Sequence, residues 1–350
     1  MSFPYPLRVA LTLATGLAAA LLFVALRIPL PWMLGPLIVT AGASMAGAAT
    51  ASWPPWRTAG QWVLGTALGL YFTPPVVVLV ASLWWLVVLS IAWTLLLGWL
   101  FGIALQRLNE RHLPGLDRGT TFFAGAVGGA TEMTQLAERE GGRADLVASA
   151  HSLRILVVAI VIPLAMQWTG QHGADWNPPG PREVEPLGLG LLLLCSGSGA
   201  WLLTRLGRAN PWFMGTLLVS MGLTMSGVTL SAVPPWLTNA AQVVIGVSLG
   251  VHFRAAFLRM APRWLGSVAL GTLGMIVLSA AFGSSIAWAT GLPAATLVLG
   301  TAPGGIAEMA ITAKVLQLGV ALVTTLQVCR VVAVLALVEW LYGRLFGARR

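Results

Sequence analysis

GTAPGGIAEM, residues 300–309, places a proline, two adjacent glycines and a glutamate inside sequence that is otherwise apolar enough for a lipid bilayer. Pro303 cannot donate a backbone hydrogen bond, and Gly304 and Gly305 supply backbone freedom, so the stretch interrupts a helix that enters it. Interrupted backbone at membrane depth is tolerated where it is buried in protein or lines a watery cavity. A charge such as Glu308 is expensive there and by default functional. The stretch therefore predicts a helix break followed by a functional charge inside a membrane protein.

The composition of the chain supports a membrane setting. Of its 350 residues, 57% are hydrophobic and 9% are charged, and the mean hydropathy is +0.84, whereas an ordinary soluble domain has about 25% charged residues. Apolar runs long enough to cross a bilayer as helices recur from end to end, and they do not alternate with polar residues as porin strands do. The run from Leu7 to Leu26 exceeds the core of a signal peptide, so we expect a retained first span. The polar stretches are too short for a soluble catalytic or DNA-binding domain.

The chain contains an internal repeat. PWMLGPLIVTAGASMAG (31–47) matches PWFMGTLLVSMGLTMSG (211–227) at eight of seventeen positions, and GGATEM (128–133) matches GGIAEM (304–309). The second match aligns Glu132 with Glu308, and the same offset of 176 residues aligns Arg154 with Arg330 and His151 with Gln327. A repeat of this length indicates a duplicated module. We expect a first membrane repeat at 1–168, a linker at 169–187 and a second membrane repeat at 188–350.

Each half is expected to contain five membrane helices and one broken Gly-Gly segment. In chain order the segments are 7–26 and 188–206, 31–50 and 211–230, 57–73 and 238–253, 75–105 and 265–290, the Gly-Gly segments 119–138 and 295–313, and 145–168 and 319–342.

The distribution of basic residues bears on whether the Gly-Gly segments cross. If they cross, the loop Arg and Lys residues divide nine against nine; if they dip in and return, the division is fifteen against three. Because basic residues collect in cytoplasmic loops, the second topology is preferred. It predicts an all-α polytopic membrane protein of two inverted repeats of about five transmembrane helices, each with a broken or re-entrant Gly-Gly segment. Both termini would be cytoplasmic. Such inverted repeats are typical of secondary transporters.

Four ionisable residues are predicted at membrane depth: Glu132, Arg154, Glu308 and Arg330. In the functional hypothesis, the arginines and the helix N-termini at the breaks hold an anionic substrate group, and the glutamates bind a coupling cation. In the alternative, each Glu and Arg form a buried pair that holds the repeat together. The helix breaks themselves are assigned to Gly128, Gly129, Pro303, Gly304 and Gly305.

His151 and Gln327 are weaker candidates for substrate or ion binding. Each lies one turn before an arginine, but the two residue types differ, so they cannot share a role that requires titration. A hydrogen-bonded structural histidine is the alternative for His151. No metal site or cofactor is expected, because Cys195 and Cys329 lie in separate apolar runs and the four histidines are scattered.

These motifs resemble those of the bacterial AbrB-type membrane proteins, in which one hydrophobic module is duplicated. The resemblance covers nearly the whole chain and rests on PWMLGP with PWFMG, GGATEM followed by HSLR, and TAPGGIAEM followed by LQVCR. Some members of that family are labelled regulators of gene expression, and others carry the name ammonia monooxygenase. The family is also similar in hydrophobic architecture to cation/proton antiporters and bile-acid symporters, which implies inverted five-helix repeats with broken helices.

Together these observations favour a secondary transporter of a small solute, such as an organic anion, coupled to H⁺ or Na⁺ in the bacterial inner membrane. The alternative is a membrane sensor or regulatory protein with an indirect role in gene expression. An enzyme is not expected, because no nucleophile, base or metal constellation is present in the sequence. The expected partners are the lipid bilayer, the solute and the coupling cation, with no nucleic acid; a homo-oligomer is left open.

Overall fold

A computed structural model describes residues 4–113, 115–170, 183–208, 210–253 and 262–346, and every regular element in these ranges is an α-helix. The first eight helices are α1 (Tyr5–Ala25), α2 (Pro31–Met45), α3 (Pro54–Gly69), α4 (Pro74–Ser82), α5 (Trp84–Asn109), α6 (Arg118–Gly125), α7 (Ala130–Arg139) and α8 (Ala144–Trp168). The remaining helices are α9 (Pro186–Arg205), α10 (Pro211–Met225), α11 (Pro235–Gly250), α12 (Pro262–Thr290), α13 (Ala294–Thr301), α14 (Ile306–Val315) and α15 (Val320–Phe346).

Some of the predicted features lie outside the described residues. They include most of the linker predicted at 169–187 and the loop arginines Arg182, Arg254, Arg259, Arg349 and Arg350.

The long apolar helices confirm a multi-pass membrane protein. Six helices are long and apolar enough to cross a bilayer, namely α1, α5, α8, α9, α12 and α15, and a seventh span results if α3 and α4, bent by 85°, count as one. Large apolar side chains such as Leu21 and Leu270 are exposed on these helices, as a lipid-facing surface requires. Helices α2, α3, α10 and α11 have 15 or 16 residues, fewer than the roughly 20 that a span needs. Five crossings per half therefore stays a prediction.

One predicted helix is wrong in extent. The sequence predicted a continuous fourth helix over 75–105, but a turn at Leu83 separates α4 from α5. The reason is tertiary, because the boundary between two compact units of the structure falls between Ser82 and Leu83. Hydropathy does not report such a boundary, since both helices are apolar. The counterpart predicted at 265–290 is confirmed as α12.

The first compact unit comprises 1–82, 167–257 and 310–321 and therefore takes helices from both halves of the sequence. Its helices approach one another closely at glycines. A Cβ on Gly65 of α3 would lie 2.5 Å from the carbonyl oxygen of Phe213 in α10, and a Cβ on Gly246 of α11 would lie 2.6 Å from that of Met33 in α2. Helices α2 and α3 of the first half are equivalent to α10 and α11 of the second half, so each contact joins the earlier helix of one half to the later helix of the other. The duplicated module is thus assembled by exchange of helix contacts between the halves.

The second compact unit comprises 83–166, 258–309 and 322–350, and it contains both Gly-Gly segments up to Met309. Helix α5 packs on α6, where a Cβ on Gly125 would lie 2.7 Å from the backbone nitrogen of Gly102. Helix α12 packs on α13 in the same way, with Gly283 against the backbone of Val298. The rings of Trp93 in α5 and Phe282 in α12 stack at a centroid distance of 4.2 Å. Long helices therefore support each of the two broken segments.

Candidate functional site

The first Gly-Gly segment folds back on itself. Helix α6 ends at Gly125, the break covers 126–129, and α7 begins at Ala130. The backbone nitrogen of Arg143, just after α7, donates to Oγ1 of Thr120 at the start of α6, with a distance of 2.7 Å. Two helices of 8 and 10 residues are about 12 and 15 Å long, so each reaches about halfway through a hydrocarbon core of roughly 30 Å. We call residues 118–143 the first hairpin.

The second Gly-Gly segment has the same form. Helix α13 ends at Thr301, the break covers 302–305, and α14 begins at Ile306. Gln327 in α15 donates to the carbonyl oxygen of Leu299 in α13 at 2.7 Å, and further along both segments Arg330 donates to that of Ala302 at 2.6 Å. Helices α13 and α15 therefore run in the same direction, so the chain between them must return. We call residues 294–319 the second hairpin.

Arg154 in α8 caps the first half-helix. Its Nη1 lies 3.3 Å from the carbonyl oxygen of Ala124 and 3.4 Å from that of Gly125, and its Nη2 donates to the carbonyl oxygen of Ala126 at 3.0 Å. These carbonyls lie at the C-terminus of α6, where a helix leaves its last acceptors without internal partners and carries partial negative charge. The side chain is 3% exposed. The buried positive charge is thus stabilised by backbone dipoles.

His151 lies one turn before Arg154 and completes this cap. Its Nδ1 is 2.7 Å from Nη2 of Arg154, and its Nε2 is 2.9 Å from the carbonyl oxygen of Phe123. Because a guanidinium group has donors and no acceptor, Nδ1 must accept, and the ring proton belongs on Nε2, which donates to Phe123. Both ring nitrogens are used, and the side chain is 0% exposed. The geometry favours a structural role for His151 over a titrating one.

Gln327 and Arg330 in α15 make the corresponding cap in the second hairpin. Nε2 of Gln327 donates to the carbonyl oxygens of Leu299 at 2.7 Å, Gly300 at 3.3 Å and Ala302 at 3.2 Å. Arg330 donates from Nη1 to the carbonyl oxygen of Ala302 and from Nη2 to that of Gly304, both at 2.6 Å. The amide and the guanidinium therefore share Ala302 as an acceptor. The two head groups are neighbours.

Glu132 and Glu308 occupy the first turns of α7 and α14. A Cβ on Gly129 would overlap Oε2 of Glu132, and a Cβ on Gly305 would overlap Oε2 of Glu308, so each carboxylate folds back over the glycine that precedes its helix. A negative charge there is stabilised by the helix dipole. Glu308 is 8% exposed, while Glu132 is half-buried.

The two buried arginines differ in their charged neighbours. Within the described residues, no ion pair joins Glu132 to Arg154, because the guanidinium of Arg154 faces the carbonyls of α6. Arg330 lies within electrostatic range of Glu308, which attracts it, and of Arg154, which repels it. Arg330 therefore lies near a charge of its own half of the sequence, Glu308, and near one of the other half, Arg154.

Sequence reasoning missed two features of this region. One is the set of carbonyl oxygens that accept from the arginines. It could have been anticipated, because the last carbonyls of a half-helix have no donors within the helix and need donors from elsewhere. The other is the contact of Thr301, the first residue of TAPGGIAEM, with α12: its Oγ1 lies 3.3 Å from the carbonyl oxygen of Ser279. The motif marks Thr301 but gives no indication of this partner. In the described part of the chain, His, Cys, Asp and Glu side chains do not gather in threes as a metal site would require.

Comparison with known proteins places this architecture in a family. The model of the family described as transition state regulatory protein AbrB matches residues 32–346. A Bacillus subtilis (strain 168) protein, YhjN, whose name describes it as uncharacterized, is 28% identical over 344 residues, covering 90% of this chain and 87% of its own. An Escherichia coli (strain K12) protein, whose name proposes a regulator AbrB, is 27% identical over 324 residues, covering 89% of each chain. Since the family model covers most of the sequence, the chain belongs to the AbrB family.

Proposed function

We propose that this protein is a secondary transporter of a small solute, with organic anions as the first class to test, coupled to H⁺ or Na⁺. The observation that carries the proposal is the pair of hairpins, each with a helix break, a buried arginine and a glutamate at the N-terminus of the returning half-helix. Transporters commonly bind substrates and coupling ions at such interrupted helices. If the segment served packing alone, an uninterrupted apolar helix would avoid the buried charges and the unpaired backbone groups that a break introduces.

The charges of the second hairpin suggest how coupling arises. Arg330 lies within electrostatic range of both Glu308 and Arg154, and the four charged residues Glu132, Arg154, Glu308 and Arg330 together have a formal charge of zero. An anion that bound there alone would leave a net negative charge in a region of low dielectric, which is costly. A proton or sodium ion bound by Glu308 would remove that cost. The binding of an anion and of a cation should therefore favour each other.

The first hairpin offers the same combination with a more accessible carboxylate. Arg154 is held by the carbonyls of α6, and Glu132 folds over Gly129 without an ion pair to Arg154 among the described residues. Its half-buried carboxylate can therefore exchange a cation with less disturbance of the fold than Glu308 can. We assign both glutamates to coupling, Arg154 to the support of its break, and Arg330 both to the support of its break and to the binding of the anion.

The test uses purified protein in liposomes under an imposed H⁺ or Na⁺ gradient, with uptake of radiolabelled small carboxylates as the readout. We expect gradient-driven uptake by the wild type. Glu308→Gln should lose gradient-driven accumulation, because the amide cannot bind or release the coupling cation. Glu132→Gln should reduce accumulation for the same reason. Glu138→Gln is the matched control, since Glu138 is an exposed carboxylate on α7, and it should transport as the wild type does.

Two results would count against the proposal. The glutamates have no coupling role if Glu132→Gln and Glu308→Gln assemble correctly and still accumulate solute under either gradient. The protein does not transport organic anions if liposomes that contain the wild type show no gradient-driven uptake of any carboxylate.

A membrane regulatory protein is the second candidate, because the family description and the name of the E. coli relative both point to regulation. Regulation of transcription would then be indirect, through a partner or through a transported solute. Six of the described helices are long and apolar enough to cross a membrane, which fits a regulator that acts from the membrane. Specific co-purification of one partner protein, without flux in liposomes, would favour this candidate over the transporter.

A further inference from the structure

The two hairpins differ at one equivalent position, His151 in the first and Gln327 in the second. The imidazole of His151 donates to a carbonyl and also accepts from Arg154, so both of its polar atoms are used. The amide of Gln327 has its nitrogen against three carbonyls, which fixes its orientation. Its Oε1 is then turned away from them, and it is buried without a hydrogen bond from any residue that the structure describes.

Arg330, the neighbour of Gln327 on α15, also has a buried polar atom without a hydrogen-bond partner among the described residues. Its Nη1 and Nη2 are taken by Ala302 and Gly304, while its Nε is buried and donates to no residue in the described ranges. The side chains lie one turn apart on the same face of α15 and share the carbonyl oxygen of Ala302, at 3.2 and 2.6 Å. Two neighbouring head groups therefore carry one donor and one acceptor that have no hydrogen-bond partner among the described residues. Both residues are at least 99% buried.

A third unused group belongs to Ser279 in α12. Its carbonyl oxygen lies 3.3 Å from Oγ1 of Thr301, which places it beside the end of α13. Its own Oγ is buried and bonds to none of the described residues. A hydroxyl can both donate and accept, so it complements either atom of a bound ligand. Three residues close to one helix break thus each have a buried atom without a partner among the described residues, which is more than a packed interior normally leaves unpaired.

We infer that the second hairpin is the substrate-binding half and that it binds a small 2-hydroxycarboxylate. The carboxylate would accept from Nε of Arg330, and the adjacent hydroxyl would donate to Oε1 of Gln327. A plain carboxylate has no donor for Gln327, and an ammonium group would be repelled by Arg330. The inference rests on the proposed transport function and narrows its substrate class. Because the atoms are buried, the site is occluded in this conformation, and a ligand reaches it when the hairpin moves.

The test measures binding to the purified full-length protein in detergent by calorimetry, with lactate and propionate as probes. The two probes differ by the hydroxyl group. We expect lactate to bind at least about tenfold more tightly than propionate, because a site built to accept from a hydroxyl rejects the analogue that lacks it. Gln327→His copies the first hairpin into the second and should abolish this preference. His151→Gln makes the reciprocal change outside the site and should preserve it.

The thermal midpoint of each variant, measured without ligand, shows whether the variant is folded. Ser279→Ala is a second variant of the proposed site, and it changes the shape of the side chain less than Gln327→His does. Ser279→Ala should weaken lactate binding more than propionate binding. Equal binding of the two probes, or binding of neither, would mean that the unused atoms hold ordered water only, and would overturn the inference. In that case gradient-driven uptake of other carboxylates would still support the proposed function. Conversely, Gln327-dependent lactate binding without flux would uphold the site and refute transport.

Discussion

Buried arginines usually need a carboxylate partner, but Arg154 and Arg330 are held mainly by backbone carbonyls. Each is placed where a half-helix ends inside the protein and its carbonyls would otherwise be unsatisfied. One guanidinium group has several donors in a fixed plane, so a single residue can satisfy two or three such carbonyls at once. The break and the arginine therefore depend on each other.

Replacing Arg154 with alanine should destabilise the protein more than it alters any one binding step. The carbonyls of Ala124, Gly125 and Ala126 would lose their donor, and each buried group left unsatisfied costs about 1–3 kcal/mol. We expect a fall of several degrees in the thermal midpoint, measured in detergent by size-exclusion recovery after heating.

Arg139→Ala is the control, because this arginine is exposed at the end of α7. Its thermal midpoint should stay near that of the wild type. An unchanged midpoint for Arg154→Ala would contradict the capping role and would favour the earlier hypothesis that this arginine faces the substrate.

At the scale of elements, the return of the first hairpin depends on Thr120. Its Oγ1 accepts from the backbone nitrogen of Arg143 at 2.7 Å and donates to the carboxylate of Asp117, while its own nitrogen donates to Oδ2 of Asp117 at 3.0 Å. The side chain is 0% exposed. One hydroxyl thus ties the last residues of the hairpin to the first.

Thr120→Val keeps the shape of the side chain and removes the hydroxyl. The nitrogen of Arg143 and the carboxylate of Asp117 would each lose a partner, so we expect a loss of about 1–3 kcal/mol, seen as a lower thermal midpoint and faster proteolysis near 139–143. The control is Thr134→Val on α7, whose hydroxyl donates to the carbonyl oxygen of Ala130 in its own helix, a bond that adds little stability. Equal behaviour of the two variants would argue against Thr120 as the tie.

At the scale of the whole molecule, the fold cuts across the duplication. Each compact unit takes helices from both halves of the sequence, and reciprocal contacts such as Gly65 with Phe213 and Gly246 with Met33 join the equivalent helices. Neither half is then expected to fold alone, because its short helices bury their faces against helices of the other half.

The folded-back hairpins predict which loops share a side of the membrane. Arg111 and Arg139 lie on either side of the first hairpin's two half-helices. Each is changed to cysteine separately, as Arg111→Cys or Arg139→Cys, in a background with Cys195 and Cys329 changed to serine. Both variants should react with an impermeant maleimide from the cytoplasmic side. Arg27→Cys should react from the opposite side, because the preferred topology places it there. All three positions are exposed. Labelling of Arg111→Cys and Arg139→Cys from opposite sides would show that the segment crosses.

Much of the architecture was predictable because membrane helices are governed by local composition. Apolar runs, the duplicated motifs and the Gly-Gly breaks indicated an all-helical membrane protein, and the breaks appear at 126–129 and 302–305. The turn at Leu83 was not predictable, because it lies in apolar sequence that has the same hydropathy on either side.

The sequence by itself determined which residues are charged, where the helices break and that the two sites are related by duplication, because these follow from residue type and spacing. The tertiary structure decided what the charges contact. Arg154 contacts carbonyls and His151 rather than Glu132, and Gln327 and Arg330 each have one buried atom without a hydrogen-bond partner among the described residues. The physical reason is that backbone carbonyls occur at every position and leave no mark in the sequence. Which of them a buried donor reaches depends on how the helices pack.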